Sequence, residues 1–125
     1  MSLSNVSMVR LSTCHPLLYQ LVLAVMQKTQ ILVVCGYRDQ VAQEEAFNSG
    51  KSKLNWPTSR HNSKPSEAVD LIPLPMNWND IDAFKTLAQT VKDTAAELNI
   101  QVEWGGDWAT FKDFDHFQLK AGTFT

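Results

Sequence analysis

The segment from Asp80 to Leu98 most constrains what this chain can fold into. Ile81, Phe84, Leu87, Ala88, Val91, Ala95 and Leu98 recur every three or four positions, which on an α-helix gathers them into one apolar stripe. Lys85, Lys92, Asp93 and Glu97 are left to face water. A helix that is apolar on one side must lay that side against a second layer. The rest of the chain supplies short pieces for such a layer. Ile31 to Cys35 is an apolar run stopped by Gly36, Ala68 to Ile72 is another, and Val102 to Trp104 and His116 to Leu119 are brief enough to be strands. Two more helices are expected. One opens at His15-Pro16 with Thr13 as its cap, and carries Leu17, Leu18, Leu21, Val22, Val25 and Met26 at helical spacing. The other runs from Asp39 to Asn48 and is stopped by Ser49-Gly50. The expected fold is α+β, a small and mostly antiparallel sheet packed against about three helices. At 125 residues the chain suits a single domain, 1–125, with the Ser-rich residues 1–12 read as a loose N-terminal arm.

Composition narrows the partners. Eleven basic against thirteen acidic residues leave a formal charge of −2, which provides no electrostatic footprint for nucleic acid. No apolar stretch reaches the ~20 residues that span a bilayer, so membrane insertion is not expected. The first ten residues lack a charged region followed by an apolar one, so the chain is expected to be made in the cytoplasm without a signal peptide. A monomer is expected. Cys14 and Cys35 form no C-x-x-C pair, and whether they are bonded to each other is open. Cys35 ends an apolar run and reads as a small buried hydrophobe.

Residues 50–66 are polar and rich in turn formers (Gly50, Asn55, Pro57, Asn62, Ser63, Pro65), and a connection this long inside a compact domain is usually functional or disordered. Two of the three histidines flank carboxylates. His61 precedes the strand that carries Asp70, and His116 follows Asp113 and Asp115. Side chains alternate along a strand, so Asp70 shares a face with Ala68 and Ile72, and His116 points with Gln118. Two strands can thus each present one ligand on a common face. Two imidazoles and one carboxylate suit a catalytic zinc ion and leave one tetrahedral position open. An aspartate amid Ala-Val-x-Leu-Ile would be costly to bury without a partner. His15, before a proline at a helix start, reads as a surface or capping residue.

Four segments in order resemble the M15 family of peptidoglycan peptidases, which includes phage endolysins cleaving L-alanyl-D-glutamate bonds and D-Ala-D-Ala carboxypeptidases and dipeptidases. They are Gly36-Tyr37-Arg38, then Ser59-Arg60-His61 with Ala68-Val69-Asp70, then Trp104-Gly105-Gly106-Asp107-Trp108, and Asp113-Phe114-Asp115-His116-Phe117-Gln118. The resemblance runs from about Leu11 to Leu119 and implies the Hedgehog/DD-peptidase-like fold. It implies Zn2+ held by His61, Asp70 and His116, with Asp113 as general base and acid. It implies Arg38 as a catalytic and substrate-binding cation and Ser59 as a substrate-binding residue. Trp56, Trp104 and Trp108 read either as core or as substrate-binding residues lining a groove, and Asp107 as a turn residue or a group orienting a ligand. His61 and Asp70 stand nine positions apart where the commoner family spacing is seven, a longer version that the phage-type members resemble. The expected function is zinc-dependent L-alanyl-D-glutamate endopeptidase action on stem peptides of the cell wall, reached after release through a holin-type pore. A D-Ala-D-Ala carboxypeptidase or dipeptidase is the alternative within the class. A metal-binding module of the same fold without turnover is the alternative outside it.

Overall fold

The structure, a computed structural model, describes residues 3–120. Four α-helices and four strands follow in the order α1 (Asn5–Leu11), α2 (Pro16–Met26), β1 (Ile31–Cys35), α3 (Gln40–Asn48), β2 (Ala68–Pro73), α4 (Ile81–Leu98), β3 (Val102–Trp104) and β4 (His116–Leu119). Single 3-10 turns at Arg60–Asn62 and Gly105–Asp107 complete the described elements. The sheet has the order β1-β2-β4-β3 and every pair in it is antiparallel. No described helix is long and apolar enough to cross a membrane.

The period-2 and period-3.6 patterns meet on one face of the sheet. Val33, Val69, Leu71, Phe117 and Leu119 from the strands join Leu18, Leu21, Val22 and Val25 of α2 and Leu87, Ala88, Val91 and Ala95 of α4 in one buried cluster. The alternate residues Asp70 and His116 therefore lie on the sheet's other face, directly paired across β2 and β4. Asn99 ends α4 in the left-handed conformation at φ 57°, a position asparagine tolerates.

Two sequence expectations are corrected. Residues 5–11 of the supposed loose arm form α1, capped by Ser4, with Ser7 and Leu11 buried; Met1 and Ser2 lie outside the described residues. The reason is the free edge of β1. Ser7 Oγ accepts from Val33 N at 2.9 Å, and Arg10 Nη1 donates to Val33 O at 3.0 Å, so α1 satisfies backbone groups that an open edge would leave unpaired. The α2 cap is His15, not Thr13: His15 Nδ1 accepts from Leu17 N at 3.1 Å. Thr13 is engaged elsewhere, donating to Arg10 O at 2.6 Å and accepting from Tyr37 N at 2.8 Å.

Gly36, directly after β1, packs closely against the end of α1 and the turn that follows it. A Cβ there would lie 2.5 Å from the Arg10 carbonyl oxygen and 2.9 Å from Cys14 Sγ. Gly36→Ala is therefore expected to cost about 1–3 kcal/mol, the range for overpacking. Chemical denaturation followed by circular dichroism would measure it, and an unchanged midpoint would show that α1 can yield.

Candidate metal centre and cleft

Three loops and two strands converge above the polar face of the sheet. The turn at Arg60–Asn62 is capped by Ser59, whose Oγ accepts from His61 N at 3.2 Å, while Ser59 N donates back to Asn62 Oδ1 at 3.0 Å. This reciprocal cap fixes a polar loop by local bonds. The 62–67 stretch is anchored by Ser66, which exchanges backbone hydrogen bonds with His15 (2.8 Å) and Thr13 (2.9 Å). The nine-residue spacing between His61 and Asp70 is thus absorbed without separating them.

His61, Asp70 and His116 are all buried and meet tightly. His61 Nε2 lies 3.2 Å from both Asp70 Oδ1 and His116 Nδ1, and His116 Nδ1 lies 3.3 Å from Asp70 Oδ1. The far side of each imidazole is also engaged. His61 Nδ1 lies 2.7 Å from the Gly36 carbonyl oxygen and His116 Nε2 2.8 Å from Gln118 Oε1. A carbonyl oxygen only accepts, so those far nitrogens carry the hydrogens. The atoms turned toward one another are then three lone-pair donors, which repel unless a cation sits among them. Burial disfavours a charged His61, but the Asp70 carboxylate overrides it and pushes the imidazole up to about 10. Burial would likewise raise Asp70, yet His61 and His116 hold it well below the usual carboxylate range. Without a competing cation, a proton takes that place.

The donor set fits a metal. Zinc at ~2.0–2.1 Å from tetrahedral N and O ligands sets those ligands about 3.3–3.4 Å apart, which the three separations match. Gly36 O and Gln118 Oε1 supply the outer hydrogen bonds that orient ligating imidazoles.

Around this centre lies an open cleft of about 1110 Å³. Asp113 lines it with an oxygen within 4.8 Å of the donor atoms of Asp70 and His116. Asp115 also lines the cleft. It can do so because it precedes β4 and escapes the strand's alternation. Burial, with the charges of Asp70 and Asp113, pushes Asp115 up to about 9, and it shares a hydrogen bond with Asp113. Arg38 Nη2 reaches Asp70 Oδ2 at 3.4 Å and Nη1 donates to Gln43 Oε1 at 3.0 Å. Trp108 lines the cleft, its ring centroid 5.1 Å from that of His116.

Two expected site residues stand elsewhere. Trp104 is 8% exposed in the core and donates its indole N–H to Phe114 O at 2.8 Å; it pairs with Phe117 on the apolar side of the sheet. Asp107 is exposed and bound to Lys92 at 2.6 Å. Ser59 borders the cleft, but its oxygen is committed to the His61 turn.

Sequence reasoning passed over Gln43, Cys35 and the orienting role of Gln118. Gln43 is fully buried, accepts from Arg38 and Asn62 (3.0 Å each) and donates to Leu54 O at 2.5 Å. Its signal was a polar residue on the inward face of a short helix. Burial opposes ionisation of Cys35, but His61 beside it draws the thiol below its ordinary value. Cys14 is buried instead, which pushes it up to about 12, and both cysteines are free.

The model of the phage L-alanyl-D-glutamate peptidase family matches residues 1–124. The chain belongs to this family. The L-alanyl-D-glutamate peptidase of Escherichia phage T5 is 29% identical over 96 residues, covering 74% of this chain and 68% of the relative. The crystal structure of the Serratia marcescens L-Ala D-Glu endopeptidase ChiX superposes with a TM-score of 0.80 at 33% identity, covering 91% of this chain and 86% of that one. The α+β fold of this phage peptidase family member is thus shared with a solved endopeptidase.

The Gln43 network makes a test of Arg38's placement. Gln43→Ala would leave Arg38 and Asn62 without their shared acceptor. It is expected to destabilise by about 1–3 kcal/mol and to lower activity roughly 10–100-fold, as loss of orienting partners does. Denaturation midpoints and turnover measured on the same preparation check both parts.

Proposed function

We propose that this protein is a zinc-dependent L-alanyl-D-glutamate endopeptidase that hydrolyses stem peptides of bacterial peptidoglycan. One observation carries the reading: three buried lone-pair donors, His61 Nε2, Asp70 Oδ1 and His116 Nδ1, at tetrahedral ligand spacing beside a second carboxylate in an open cleft. Membership of a family described as phage L-alanyl-D-glutamate peptidases supports the choice of bond. The three donors would hold the ion, which when bound polarises the scissile carbonyl and acidifies water.

The other residues act around it. Asp113 accepts the proton of the attacking water and returns it to the leaving amine, within reach of the reacting atoms. Asp115, raised by its surroundings, keeps its own proton at neutral pH and donates to Asp113, which fixes the Asp113 carboxyl in place. Arg38 clamps the outer oxygen of Asp70 and presents a fixed positive charge to the carbonyl oxygen as it becomes negative. Trp108 shields the His116 side of the cleft from water. Ser59 retains a hydroxyl hydrogen for a substrate carbonyl. The protein acts as a monomer on the wall, having left the cytoplasm through a holin-type pore.

Purified peptidoglycan digested with and without a chelator provides the test. New D-glutamyl amino termini are expected, together with glycan bearing only L-alanine, and both should vanish on chelation. Released terminal D-alanine would instead indicate a carboxypeptidase, and the absence of any product a binding module.

A further inference from the structure

Strand β1 carries a one-residue irregularity at the site. Ile31, Leu32 and Val33 pair in register with Pro73, Ile72 and Leu71, but the next pair is Cys35 with Asp70, so Val34 is skipped. In unbroken register Val34 would oppose Asp70, and Cys35 would fall opposite Val69. A slip of one residue turns a side chain to the opposite face, and bulges beside active sites re-aim side chains in this way. The extra residue thus brings Cys35 into a row with Asp70 and His116 across three neighbouring strands.

The thiol is close to the donors and loosely held. Cys35 Sγ and donor atoms of His61 and Asp70 all lie within 4.8 Å of one another. Its hydrogen-bond acceptor is Gly36 O at 3.6 Å, an oxygen that already takes His61 Nδ1 at 2.7 Å and Ser66 Oγ at 3.2 Å. A carbonyl has two lone pairs, so the thiol makes the third and weakest claim on it. Cys35 is half-buried and borders the cleft.

We propose that Cys35 is a fourth protein donor to the metal, its thiolate occupying the coordination position that catalysis leaves open. The proposal rests on the three-ligand reading above. Zinc bonds to sulfur at ~2.3 Å and to nitrogen or oxygen at ~2.0–2.2 Å, so a shared ion needs the sulfur within about 4.4 Å of each other donor. Cys35 Sγ is within 4.8 Å of His61 and Asp70 donor atoms, so sharing the ion, His116 included, requires the sulfur to swing closer by rotation about its Cα–Cβ bond. Thiolate is a soft ligand suited to zinc. As the sulfur–metal bond forms, the thiol proton passes to solvent and no electron is exchanged. Four protein donors make a closed type of site; the resting enzyme is then closed, and sulfur must leave the ion before water and the substrate carbonyl can take its place.

Cobalt(II) exchanged into the full-length protein reads this directly. Visible ligand-field bands report a tetrahedral site, and a near-ultraviolet charge-transfer band reports a thiolate on the metal. The wild type is expected to show both. Cys35→Ser and Cys35→Ala should keep the visible bands and lose the near-ultraviolet one, whereas Cys14→Ser keeps both. Visible bands without the near-ultraviolet band in the wild type, or its persistence in the Cys35 variants, would overturn the cysteine proposal while sparing the three-ligand site. No visible bands in the wild type would overturn both.

Discussion

Replacing Asp70 by Asn is expected to abolish both metal binding and the stability that the metal confers. Asp70 sits at the centre of the site: two imidazoles meet one of its oxygens and Arg38 meets the other. Asparagine keeps the shape and removes the charge. Breaking a buried ion pair by removing one partner costs ~3–5 kcal/mol. The lower end applies here, since His61 can shed its proton and Arg38 keeps Gln43. For a domain of this size about 3 kcal/mol lowers the melting temperature by roughly 10 °C. Zinc at a thousand times its dissociation constant adds about 4 kcal/mol to a protein that binds only when folded. Melting curves with zinc and with chelator should therefore separate widely for the wild type and coincide for Asp70→Asn. A variant still stabilised by zinc would remove Asp70 from the ligand set.

Asp113→Ala is expected to keep the metal and lose turnover by about 10²–10⁴-fold, the contribution of a positioned general acid–base. Its oxygen is close to Asp70 and His116 but outside the tight triangle that those two form with His61. Zinc-dependent melting should survive the substitution while release of D-glutamyl termini stops. The neighbouring Asp115 makes the comparison informative. Held protonated by burial and by two carboxylates, it cannot accept a proton at neutral pH, so Asp115→Asn should retain most activity. The reverse pattern, an active Asp113→Ala beside a dead Asp115→Asn, would exchange their roles.

Most of the architecture was legible because it follows from periodicity. The α4 stripe, the Asp39 and Asp80 helix starts and all four strands appear where alternation and capping chemistry place them. The order of strands in the sheet is not a local property. Nor is α1: residues 5–11 carry little helical pattern, and their helix is stabilised by the exposed edge of a strand more than twenty residues away.

Within the site, the same division holds. Residue types and the two-residue repeat of a strand placed Asp70 on one face of β2 and paired His116 with Gln118, and the resemblance carried by four short segments singled out the three donors, Asp113 and Arg38. Trp104 and Asp107 share one of those segments, yet a turn at Gly105–Asp107 sends one inward to the core and the other out to Lys92. Cys35 had every mark of a core residue until the slip in β1 turned it toward Asp70. The sequence by itself determined which elements form and which side chains carry chemistry, because both depend on neighbours along the chain. Tertiary structure alone decided which of them touch, because strand order, register and edge pairing are set by contacts between distant segments.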